Sequence, residues 1–134
     1  MGKKIVVMEP LTDAMVEAGA ELIRKLDEAG MPPDIALWRF NRDVSEWRLL
    51  LSSPAIDTEG SRKIYEQIHV AIKELGDKAS ALPFLPVNLL APHSEIVKHL
   101  KAETPTGPGL NQPRLKTRVS DGRYIDQALI YRVA

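Results

Sequence analysis

The chain has no cysteine. A disulfide scaffold, a zinc–thiolate centre, an iron–sulfur cluster and a thiol nucleophile are excluded together. Aromatic residues are scarce, at 5%. Neither sign of charge prevails: 18 Lys and Arg stand against 18 Asp and Glu, for a net charge of zero. A protein built mainly to grip nucleic acid carries a basic excess, so that function is not the first expectation. Apolar runs are only a few residues long, far below the ~20 that cross a bilayer. No membrane span is expected. The opening MGKKIVVM has too short an apolar stretch for a secretory signal and no small-residue cleavage site. It also lacks the Ser or Thr of a myristoylation signal. Residues 1–10 read as a short leading strand or an ordered arm. A cytoplasmic location is the default for such a chain.

What is present is the composition of a folded protein, 44% hydrophobic and 27% charged over 134 residues. That length suits one domain, 1–134, able to bury about two thirds of its unfolded surface. Charge is uneven along it. From Thr12 to Ala29, five acids stand against Arg24 and Lys25. From Asn111 to Ala134, the bases Arg114, Lys116, Arg118, Arg123 and Arg132 stand against Asp121 and Asp126.

Thr12 is a natural N-cap, and Met15, Val16, Gly19, Leu22, Ile23 and Leu26 follow at helical spacing. Gly30 and the two prolines after Met31 end that helix. Asp34 to Asn41 and Glu46 to Ser53 read as a hairpin around RDVS. A second helix, capped by Asp57 or Thr58, presents Ile64, Ile68, Ala71, Ile72 and Leu75, and stops at Gly76. GDKASA then reads as a flexible polar stretch. LPFLPVNLL reads as a short strand between prolines, and Pro92 starts a third helix, HSEIVKHLKA. Residues 103–113, with three prolines and two glycines, exclude regular structure. Leu115 to Ser120 and Tyr124 to Val133 form a second hairpin around Asp121-Gly122, a preferred type I′ pair. The expected fold is α+β: a single-domain mixed or antiparallel sheet of about five strands with three helices packed on it, in the order α-β-β-α-β-α-β-β. The chain from Trp47 to Leu90 can make a parallel crossover.

Three segments are candidates for chemistry. LWRFNRDVSEWRLLL repeats Trp-Arg, and both regular registers of its hairpin put the two indoles on one apolar face. With the turn centred on Asp43-Val44, Arg39 opposes Arg48. With it centred on Arg42-Asp43, Arg39 opposes Glu46. Opposed arginines are mutually unfavourable and suit an anion. The plainer reading is a solvated face whose arginine stems cover Leu37 and Leu50. Second, Arg114, Lys116 and Arg118 alternate with apolar or small residues, which puts all three on one strand face. With Arg123 they make a basic stripe that can follow a phosphate backbone. Edge protection is the competing explanation. Third, Thr106, Gly107 and Gly109 lie in a loop that permits close backbone approach to a ligand. It lacks the Gly-Lys-Ser/Thr of a phosphate loop.

His69, His93 and His99 do not share a helical face at metal spacing, so no metal is assigned. No serine elbow and no catalytic carboxylate pair can be picked out, so no catalytic residue and no cofactor are assigned. The leading expectation is a small soluble non-catalytic interaction or accessory module, homodimeric. Its support is the final strand, apolar on both faces, and the face bearing two tryptophans. A nucleic-acid-binding accessory protein using the basic C-terminal hairpin is the alternative. An enzyme or binder of a small anionic ligand is the third reading.

Overall fold

The first helix, α1 (Asp13–Glu28), starts where Thr12 accepts a hydrogen bond from the Met15 N–H at 3.1 Å. It ends at Gly30, whose φ of +80° is the left-handed cap that favours glycine. This computed structural model describes residues 11–41, 46–82, 87–103, 105–107, 109, 114–120 and 125–134; for 41, 114–120 and 125–127 it describes the backbone. Residues 1–10, read as a leading strand or arm, and residues 42–45 and 121–124, where the hairpin turns are expected, lie outside the described residues.

Strands β1 (Ile35–Asn41) and β2 (Glu46–Ser52) pair antiparallel. The register sets Trp38 opposite Leu49, Arg39 opposite Arg48 and Phe40 opposite Trp47. This is the register in which the arginines meet. Between Pro54 and Gly76 there are two helices rather than one, α2 (Ala55–Glu59) and α3 (Ser61–Leu75). Gly60, at φ +86°, separates them. The expected caps Asp57 and Thr58 therefore lie inside α2. Ser53 Oγ accepts from the Ala55 N–H instead, at 3.2 Å.

GDKASA, expected to be flexible, is a 3-10 helix over Gly76–Ala81. The Ser80 hydroxyl donates to the Asp77 carbonyl at 2.8 Å within it. Strand β3 (Val87–Leu89) lies parallel to β2, as a crossover requires. Helix α4 (Glu95–Glu103) begins later than Pro92, which sits in the turn closed by Ser94 N–H and Ala91 O. Strands β4 (Arg114–Ser120) and β5 (Ile125–Val133) complete one mixed sheet, ordered β3-β2-β1-β5-β4. The class is α+β. Among the described residues the element order is α-β-β-α-α-β-α-β-β, with four α-helices.

Strand alternation builds two cores. On one face Trp38, Phe40, Trp47, Leu49 and Leu51 pack against Leu22, Ile23 and Leu26 of α1 and Ile64, Ile68 and Ala71 of α3. On the other, Ile35, Leu37, Leu50, Ala128 and Ile130 pack against Val97 and Leu100 of α4. Leu37 and Leu50 are thus core residues under α4, not supports for arginine stems on a solvated face. Each such Leu or Ile contributes about 1.5–3 kcal/mol by leaving water.

The register of β1 against β5 shifts between Ala36 and Leu37, which makes Tyr131 an extra residue on β5. Tyr131 and Arg132 consequently both reach α1. Trp38 Nε1–H donates to the Tyr131 hydroxyl at 2.9 Å, and that hydroxyl donates to Val16 O. Helix α1 approaches so closely there that a Cβ on Gly19 would stand 2.6 Å from Tyr131 Oη and 2.9 Å from Trp38 Nε1. Gly19 is where the helix touches the sheet.

Candidate functional site

The first candidate is the arginine pair. Arg39 and Arg48 are directly opposed and half-buried on the α4 side of the sheet. The Arg48 guanidinium is 3.0 Å from the Glu46 carboxylate, two residues back on its own strand. Arg39 also has an interaction of its own. The hairpin thus answers Arg48 with a carboxylate, which weakens the demand for an external anion.

The second candidate, the loop at 106–109, sits elsewhere. Thr106 N–H donates to Val133 O at 2.8 Å, and Thr106 Oγ1 accepts from Val133 N–H at 2.8 Å. Gly107, at φ +87°, forms a β-bridge with Val133. Gly109 O accepts from Arg132 Nε at 3.3 Å. These groups bind the C-terminal strand. Val133 opposes Ile35, whereas Ala128 opposes Arg39. Four residues of strand, about 13 Å, separate the loop from the arginine pair. The two do not converge.

Arg132 is the group that sequence reasoning passed over. It counts as one more C-terminal base by composition, yet only 4% of it is exposed. Its guanidinium grips the Asp27 carboxylate with two bonds, at 3.0 and 2.9 Å, and donates to Pro33 O at 2.9 Å. This bidentate pair clamps the end of β5 to the end of α1. Only the β5 register shift, which no local pattern announces, turns Arg132 towards α1.

The third candidate is β4. Arg114 opposes Ile130 and Lys116 opposes Ala128, but the register then shifts, and Val119 opposes Asp126. Opposed positions share a face, so 114, 116 and 119 fall in one set. Position 118 is displaced from it. The expected three-base stripe is therefore two bases long. Arg123 lies outside the described residues.

The two outer strands of the sheet differ sharply. Strand β3 has three residues, and Leu90 N–H, just past its end, is directed at β2, where it donates to Leu51 O at 2.8 Å. The neighbouring Leu89 N–H points the opposite way. The Tyr65 hydroxyl on α3 accepts it, at a long 3.4 Å. Ser52 Oγ donates to Leu90 O at 2.8 Å on the inner side. Strand β4 has seven residues, and among the described residues its one strand neighbour is β5. Strand β5 itself is buried between β1 and β4.

Other titratable groups give less. His93 is 3.8 Å from Asp57, and both are exposed. His99 is 3.9 Å from Glu103. Among the described residues no three His, Asp or Glu gather as a metal site, and no helix is long and apolar enough to cross a membrane. Burial holds the Tyr131 hydroxyl well above its ordinary pKa, against the opposing effect of the Trp38 hydrogen bond. That hydroxyl belongs to the core.

The two features that suggested a dimer are both closed within the chain. Helices α1 and α3 cover the tryptophan face, and β1, β4 and α4 surround β5. No family model, curated protein or solved structure matches the chain.

Proposed function

We propose that the protein is a non-catalytic interaction module whose contact element is the outer edge of β4. One observation carries this reading: of the two outer strands, the short one has its outward Leu89 amide capped by Tyr65, and the long one has no strand beyond it among the described residues. A free edge is a row of unmet N–H and C=O groups, and an extended segment from a partner satisfies it by adding a strand. The clamp of Arg132 on Asp27 and the Thr106–Val133 bonds fix β5, and so give β4 a rigid backing. The notion of a homodimer narrows accordingly: a second copy is one candidate for the added strand. A cysteine-free chain needs no oxidising compartment, and we place the module in the cytoplasm.

Proline substitution at adjacent positions of β4 tests the reading. Neighbouring amides in a strand point to opposite sides. One of Leu115→Pro and Lys116→Pro therefore removes an outward N–H and keeps the β5 ladder, and its retained cooperative unfolding identifies it. Random extended peptides panned against the wild-type chain are expected to enrich binders that this edge-blocked variant does not hold. Enrichment of peptides that bind both proteins equally, or no enrichment, overturns the reading.

A further inference from the structure

We infer that the strand added to β4 is acidic and comes from another protein, not from a second copy of this chain; the inference rests on the proposed use of the β4 edge. A two-fold axis that extends a sheet across an antiparallel pair of identical edges passes through one residue position. It pairs residues equally spaced on either side of that position. Arg114 and Lys116 occupy alternate places in the part of β4 that precedes its register shift. An axis at 115 sets 114 against 116. An axis at 114 or 116 sets a base against itself. Every centre in this regular part thus opposes like charges, which destabilises a cross-strand pair. That part of the edge is chemically self-avoiding.

The same spacing is selective for a different partner. Positions 114 and 116 belong to one face, since they oppose Ile130 and Ala128 of a single cluster. A partner strand with Asp or Glu two residues apart sets both carboxylates opposite these bases in one register. Slipping that strand by one residue moves its acids to the other face. Charge therefore supplies register as well as attraction. An acidic chain segment also complements the local excess of base from Asn111 to Arg123, within a molecule of zero net charge.

Three ten-residue peptides test this: Glu alternating with Val and Thr, the same sequence with Gln for Glu, and the same with Lys for Glu. Binding is read by fluorescence anisotropy at low salt, on wild-type protein, the edge-blocked proline variant and Lys116→Glu. The expected result is affinity for the Glu peptide about tenfold above the Gln peptide, from two cross-strand ion pairs. The difference shrinks in high salt. It vanishes in the proline variant, and Lys116→Glu shifts preference towards the Lys peptide. Equal binding of Glu and Gln peptides overturns the acidic partner and leaves the edge reading intact. Failure of all three peptides removes both. A dimer in sedimentation that the proline variant abolishes overturns the exclusion of a second copy. A thymidine oligonucleotide that displaces the Glu peptide and binds tighter than it assigns the bases to phosphate, and also overturns the inference.

Discussion

The two outer strands of this sheet meet the same physical difficulty in opposite ways. Strand β3 is three residues long, and the Tyr65 hydroxyl caps its outward Leu89 amide. Strand β4 is seven residues long, and its regular part carries bases at 114 and 116. A short edge with one outward amide capped offers little to a partner strand. In the proposed reading, a long edge guarded by one sign of charge disfavours copies of itself and admits the opposite sign. The difference teaches that charge on an edge strand is a filter and not only a barrier.

Several substitutions break or sharpen that contrast. The largest effect is expected at the clamp that backs β4. Asp27→Ala leaves the Arg132 charge buried without its carboxylate, and should cost about 2–4 kcal/mol, allowing for the partial exposure of Asp27. Urea unfolding measures it; a loss under about 1 kcal/mol would mean that the clamp does not hold β5. Next comes the α1 contact. Gly19→Ala forces a Cβ against Tyr131 and Trp38, and should cost about 1–3 kcal/mol. Tyr131→Phe removes the nearest of those atoms, so the double variant should lose less than the sum of the single ones. Strict additivity would show that the contact relaxes elsewhere.

Tyr131 also predicts a pH effect. Its folded pKa is raised, so the neutral hydroxyl is the form the fold holds. Its contribution is complete below the unfolded value of about 10, and falls above it by up to about 1.4 kcal/mol per pH unit. In Tyr131→Phe that alkaline slope should be reduced; an unchanged slope would assign it to other groups. The smallest effect is at the closed edge. Tyr65→Phe should cost under about 1 kcal/mol and speed exchange of the Leu89 amide. An unchanged exchange rate would show that Tyr65 does not guard β3.

Local chemistry made much of the fold legible. The Thr12 cap, the Gly30 stop and the core stripe of α1 follow from short-range pattern. The hairpin of β1 and β2 was readable down to two registers, but the choice between them was not. Hidden too was the second core, because Leu37, Leu50 and Ile130 meet α4 only through sheet order. Gly60 gave no signal that it would split a helix: glycine permits a positive φ without demanding one. Arg132 looked like part of a basic surface until the β5 register shift turned it to Asp27. The same kind of shift in β4 shortened the basic stripe. Bulges depend on pairing partners, so single-strand alternation cannot foresee them.

Amide hydrogen exchange across both edges of the free protein tests the central claim most directly. The account predicts that alternate amides of the regular part of β4, from Arg114 to Lys116, exchange freely while their neighbours and Leu89 are protected. Uniform protection along β4 would mean that its edge is already covered, and would contradict the account.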